Sequence, residues 1–255
     1  MKTITGMLLK ISILTVLLNA CISPSSGQVI NLQPQAIPIS NPCENSFFPV
    51  KTGAAWNYMG SSENSETFSF TNSVTEVRPD GFSLSTTFEN LNRTQEWSCK
   101  PEGLVALNFG GGPAGGISTQ GLDLEITTSN ITGVSIPINP QPGNEWNYSL
   151  DIAASLMLPD GQKGQAQGSM TTPMKAIGME SVSVPAGTFE ALRVESVPSI
   201  NLTTTYMGLP IPVSFTGNVT LWFAPGVGWI KSIERGEIFG TSINSTIELQ
   251  SFQIP

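Results

Sequence analysis

The chain has 255 residues, only 12% of them charged, and it contains no histidine. That excludes Ser-His-Asp and Cys-His machinery, imidazole general bases and His-based zinc sites. A formal net charge of −8 makes nucleic acid and anionic headgroups poor partners.

Residues 1–20 read as a signal peptide. Lys2 and Lys10 supply positive charge, and Ile11 to Ala20 form an apolar stretch too short to span a bilayer. The stretch ends Leu18-Asn19-Ala20-Cys21, which resembles a bacterial lipobox. In lipoproteins of that kind the Cys is lipidated and becomes the mature N-terminus. Cys21 is therefore the expected lipidation site, with each buried acyl methylene contributing about 0.8 kcal/mol to anchoring. The membrane is thus a partner through a lipid. Localisation at the cell envelope is the consequence, on the outer membrane where the host has one and otherwise on the outer face of the plasma membrane. Without Lys2 and Lys10, 9 basic residues face 19 acidic ones, so the mature charge is near −10.

Residues 21–43 read as a lipid-anchored tether, rich in Gln, Asn and Pro from Gln28 to Pro42. Residues 44–255 read as a single β domain, long enough for a sizeable core. With Cys21 lipidated, Cys43 and Cys99 remain. In an oxidising compartment they form one disulfide, worth about 4 kcal/mol in the chain-entropy account; otherwise they stand as two thiols. Six Asn-x-Ser/Thr sequons occur, a chance yield in a Ser/Thr-rich chain that carries a bacterial lipobox.

A period of two dominates the domain. Thr67 to Val77 reads as a strand, Arg78-Pro79-Asp80-Gly81 as a turn, and Phe82 to Phe88 as the returning strand. Glu96 to Cys99 and Leu104 to Phe109 flank Pro101-Glu102-Gly103 as a second hairpin. Gly110 to Gly116 lacks the Lys-Ser/Thr of a phosphate-cradling loop and reads as a surface loop. Leu122 to Ile126 is a short strand, and Ile136 to Pro142 a proline-punctuated linker. Further strands run from Tyr148 to Leu158, Ala166 to Met179, Ser181 to Val184, Phe189 to Glu195, Leu202 to Tyr206, Val213 to Phe223, Trp229 to Ile233 and Thr241 to Phe252. Within the first of these, Ile152 to Met157 is also compatible with a short helix.

The word Gly-x-x-Trp-Asn-Tyr occurs twice, at Gly53–Tyr58 and Gly143–Tyr148. Each copy is succeeded by a Trp, a Pro-containing turn and a Gly: Trp97 to Gly103 in one case and Trp222 to Gly228 in the other. Two related halves, about 47–116 and 136–255, would share one core. The fold class expected is all-β, an antiparallel half-barrel or barrel-like sheet. Trp56 and Tyr58, like Trp146 and Tyr148, lie two apart and share a strand face. Together with Trp97, Trp222 and Trp229 they serve either as core anchors or as the lining of a ligand pocket.

Three segments carry a family resemblance. Phe47 to Tyr58, Val184 to Ala191 (VPAGTFEA) and Trp222 to Gly228 (WFAPGVG) resemble the TapB-like group of bacterial exported proteins. The resemblance covers most of residues 47–252 and implies a β-rich, barrel-like domain akin to carriers of the LolA/LolB shape. It brings no catalytic residues.

Carboxylates are the remaining source of chemistry. Asp123 and Glu125 lie two apart and would share a face, but a glycosidase pair is set by spacing in space rather than in sequence, so solvated rim charges explain them better. No metal site and no cofactor is expected, and the chain is read as non-enzymatic. Three functions compete: a module for a lipid or other hydrophobic ligand, with Met157, Met170, Met174, Met179 and Met207 as adaptable lining; a structural or envelope-protein interaction module; and a carboxylate-dependent hydrolase. An open apolar cavity favours the first, a filled core the second, converging acids the third.

Overall fold

The structure is a computed structural model that describes residues 43–62, 65–88, 91–110, 124–157, 163–206, 209–238 and 241–255. The expected signal peptide and most of the tether lie outside these residues, as do residues 111–123. Fourteen strands form one antiparallel sheet. In chain order they are β1 (Ala55–Ser62), β2 (Ser65–Arg78), β3 (Gly81–Phe88), β4 (Leu91–Lys100), β5 (Gly103–Ala106), β6 (Leu124–Gly133) and β7 (Ile136–Pro137). Then come β8 (Glu145–Met157), β9 (Lys163–Val184), β10 (Gly187–Ser196), β11 (Ser199–Tyr206), β12 (Leu209–Ala224), β13 (Gly228–Ile238) and β14 (Thr241–Gln253).

The sheet order is β6-β8-β9-β10-β12-β13-β14-β1-β2-β3-β4-β5-β7, with β11 inserted between β9 and β12 along their outer stretches. β6 comes after β5 in the chain but pairs with β8. β14 comes after β13 but pairs with β1 as well. The strands fall in two series, β1 to β7 and β8 to β14; β6 of the first pairs with β8 of the second, and β14 of the second with β1 of the first.

Both copies of the repeated word fold alike. Gly53 and Gly143 take φ of 86° and 89°, a region that suits glycine. Gly53 N–H donates to Val74 O at 2.9 Å, and Val74 N–H to Ala54 O at 2.9 Å. Gly143 N–H donates to Ala176 O at 2.8 Å, and Ala176 N–H to Asn144 O at 2.9 Å. Each Tyr hydroxyl then crosses to the other series of strands. Tyr58 Oη donates to Trp229 O on β13 at 2.8 Å, and Tyr148 Oη donates to Ala106 O on β5 at 2.7 Å. Burial raises the pKa of both phenols, so they remain donors.

The two ends of the sheet meet. β6 and β7 are separated by two residues, and Ser135 N–H donates to Leu104 O at 2.9 Å. Ala106 N–H bonds Ser135 Oγ, and Phe109 N–H bonds Thr128 Oγ1, each at 3.0 Å. At the end that carries the β4–β5 and β12–β13 hairpins, residues 43–50 close over the inner face. Cys43 and Cys99 form a disulfide with a Cα–Cα distance of 5.0 Å. Asn45 Nδ2 donates to Pro137 O at 2.8 Å, and Gly226 N–H to Ser46 O at 2.8 Å. Phe48 packs on Trp56, Phe82 and Trp97.

The strand expected from Tyr148 forms, and the helical alternative at Ile152 to Met157 does not: its residues pair with β9, and the alternation of buried Ile152 with exposed Ala153 is that of a sheet. One expectation is corrected. The proline-punctuated linker begins as a strand, since Ile136 and Pro137 pair with Leu104 and Gly103.

Replacing Tyr58 or Tyr148 by Phe leaves one buried carbonyl short of its donor. Each variant is expected to lose about 1–3 kcal/mol in urea unfolding, the two by similar amounts. A loss confined to one of them would show that the two bonds are not equivalent.

Candidate functional site

Alternation along the strands of the first series aims a set of side chains at the inner face. They are Trp56 and Tyr58 on β1, Phe68, Phe70 and Asn72 on β2, Leu84, Thr86 and Phe88 on β3, and Arg93, Gln95 and Trp97 on β4. Trp229 and Ile247 join them from β13 and β14. The rings stack in two groups, one around Phe48, Phe82 and Trp97, the other around Tyr58, Phe70 and Trp229. Between them they leave a chamber of about 50 Å³. That is room for a few water-sized groups or carbons.

One side of the chamber is polar. Thr86 Oγ1 donates to Asn72 Oδ1 at 2.7 Å. Gln95, 5% exposed, donates to Gly110 O, and Arg93 Nη2 donates to Phe109 O. Burial alone lowers the Arg93 pKa from its ordinary value; no carboxylate among the described residues offsets it. The indole N–H groups of Trp97 and Trp229 are buried and have no acceptor. Trp56 Nε1, by contrast, donates to Val227 O at 2.6 Å.

The second series presents a different inner face. On β12 the odd positions from Leu221 back to Leu209 share it, as the unbroken register with β11 and β13 requires. Leu221 is 2% exposed and Val219 5%, Phe215 and Val213 are half-buried, and Ile211 and Leu209 reach 42% and 69%. Ile200 to Leu202 on β11, and Ile152 to Ala154 on β8, show the same decline. The apolar row outruns the core that covers its start.

Glu234 lies on the inner face of β13, opposite Val219 and Ser245 and two residues beyond Ser232. Its Oε1 and the Ser232 hydroxyl are buried without partners. Burial pushes the Glu234 carboxyl up to about 7, against a hydrogen bond with Ser245 that acts the other way. Other acids sit in surface pairs: Glu145 with Lys175, Glu195 with Arg193, and Glu76 and Glu96 with Arg78. Asp123 and the Glu125 side chain lie outside what is described.

Of the seven aromatics singled out by sequence, the chamber gathers Trp56, Tyr58, Trp97 and Trp229. Trp146 is half-buried beside Met174, Tyr148 serves the Ala106 bond, and Trp222 Nε1 donates to Glu180. Among the described methionines, Met170 reaches the inner face, Met174 is buried and Met179 is 46% exposed, so these three do not share one lining. The Met157 and Met207 side chains are not described. Arg93 and Gln95 are absent from the residues that sequence points to, although both stand at two-residue spacing from Trp97.

Comparison with known proteins finds a related fold. The DUF3108-like family matches residues 114–236, which run from β6 into β13. No curated protein sequence matches the chain. A protein from Bacteroides fragilis NCTC 9343, described as exported and of YmcC-like fold, superposes with a TM-score of 0.50 at 13% identity. The match covers 82% of this chain and 100% of that one. A protein from Parabacteroides distasonis ATCC 8503 described as a lipoprotein gives 0.47 at 16% identity, over 82% and 99% of the two chains. The lipoprotein YmcC of Escherichia coli K12, described as hypothetical, gives 0.34 at 10%, over 79% and 85%. At these identities the first match speaks for the fold alone.

The raised Glu234 pKa sets a pH dependence. The folded carboxyl holds its proton above the unfolded value, so its contribution is fully present at low pH and is lost as pH rises through about 7. Thermal unfolding between about pH 5 and pH 8 is expected to show stability falling in that window. Glu234→Gln is expected to flatten the decline; an unchanged slope would place its cause elsewhere.

Proposed function

We propose that this protein is a non-catalytic binding module of the bacterial envelope, anchored by a lipid at Cys21, whose curled sheet holds a hydrophobic ligand against its inner face. The observation that carries the reading is the apolar row of β12. Val213, Ile211 and Leu209 continue the core face outward and become progressively exposed. A sheet that ended its hydrophobic function at the core would turn polar on this face; instead Val213, Ile211 and Leu209 keep it apolar, with Ser214, Pro212 and Pro210 at the alternating outer positions. An exposed apolar surface of this kind gains about 25 cal/mol per Å² when a ligand covers it.

The envelope assignment rests on the lipobox and is supported by the shared fold with an exported protein. A kinship with TapB-like and LolA/LolB-like carriers belongs to the same proposal. The aromatic chamber favours a second reading in one respect. At about 50 Å³ it is nearly filled, as a structural or protein-interaction module requires, and a ligand would place only a small part there.

The purified protein is expected to take up the neutral apolar fluorophore N-phenyl-1-naphthylamine with saturable enhancement. A Leu209→Asn/Ile211→Asn variant, altered only at exposed positions, should weaken uptake about tenfold without moving the unfolding midpoint. Uptake that is absent in the wild type, or unaffected in the variant, would leave the interaction-module reading in place. Labelled palmitate should enter the protein in a bacterial host and be lost in Cys21→Ser; labelling that persists would refute anchoring at this residue.

A further inference from the structure

Although the net charge of −8 disfavours anionic surfaces at long range, we infer that the ligand is an anionic amphiphile, and that the local charge of Arg93 receives its carboxylate at the polar side of the aromatic chamber. This rests on the binding reading above and names the chemical class that the site selects.

Arg93 is half-buried and carries a charge that does not titrate near neutrality. A guanidinium withdrawn from water needs hydrogen bonds and an opposite charge. Its one protein partner among the described residues is the carbonyl of Phe109. Glu96, three residues away on the same strand, faces outward and pairs with Arg78, so it does not serve. Most of the five-donor fork is therefore available to an acceptor that the described chain does not supply.

The surroundings point to the same ligand chemistry. Trp97 and Trp229, 1% and 5% exposed, line the chamber, and their buried indole N–H groups lack acceptors. Buried donors of this kind are ordinarily satisfied, and ligand oxygens would satisfy them. The Gln95 amide beside them adds a further polar edge. Carbons next to the headgroup would meet Tyr58 and Phe70, whose stacked rings form an apolar wall. A cationic head would meet an unpaired guanidinium and be repelled, and a neutral one would leave its charge uncompensated.

The position of Gly110 supports a fixed fork. A Cβ there would lie 2.8 Å from Arg93 Nη1, so glycine lets the backbone of 109–110 sit against the guanidinium plane. That contact orients the fork without neutralising it, a geometry suited to bidentate recognition of a carboxylate.

The test compares octanoate with 1-octanol on the purified, disulfide-oxidised protein, by displacement of N-phenyl-1-naphthylamine and by intrinsic tryptophan fluorescence. Three tryptophans line the chamber, so occupancy there is read directly. Octanoate should bind at least about tenfold tighter than 1-octanol and change the tryptophan emission. In Arg93→Gln that preference should vanish while 1-octanol binding stays the same; Arg93→Lys, which keeps the charge but not the fork, should retain part of it. Equal binding of acid and alcohol in the wild type, or an undiminished preference in Arg93→Gln, overturns the inference and leaves the hydrophobic-ligand reading standing. Failure of both probes to bind overturns the two together.

Discussion

Neither series of strands can satisfy its own hydrogen bonds, and everything else in the molecule depends on that. β1 needs β14, which the second series supplies, and β8 needs β6, which the first supplies. The two tyrosines of the repeated word fasten the same exchange from inside, each donating to a carbonyl on the opposite series. A buried carbonyl without a donor costs free energy comparable to a lost hydrogen bond, so both bonds must form together for the sheet to be complete. The glycines at the start of each word, with nearly equal positive φ, set the angle at which the exchanged strands enter.

Exchange of this kind curls a long sheet and brings its ends together at residues 133–136. A curled sheet has an inner face that must be filled. At the hairpin end the segment from Cys43 to Val50 fills it, held by the disulfide and by Phe48 against Trp56, Phe82 and Trp97. The two series then diverge. The first packs aromatic rings around a small chamber with Arg93 and Gln95 on one side. The second carries aliphatic and small residues that emerge from the core along β12. One scaffold thus presents a polar, charged corner and an uncovered apolar slope, the two features an amphiphile requires.

Much of this is legible in the sequence because the signal is local. The period of two, the Pro-Gly turns and the doubled word lead to an all-β antiparallel sheet and to the shared face of Trp56 and Tyr58. Cys43 and Cys99 are the one pair left once Cys21 is assigned to the lipid, and they are bonded. What is not legible is non-local. No pattern reveals that β6 crosses to β8. IAASLM looks equally helical or extended until β9 pairs with it. Arg93 and Gln95 can be found by stepping back in twos from Trp97, but a charge on an inner face reads as solvated until burial is known. Likewise the exposure of Leu209 and Ile211 depends on where the core stops, which composition does not encode.

Native mass spectrometry of the protein purified from a bacterial envelope, with solvent extraction of any passenger, tests the central claim most directly. The predicted result is a one-to-one complex whose extracted passenger is an acidic amphiphile. A protein that flies bare and stays bare after exposure to a panel of envelope lipid extracts would contradict it.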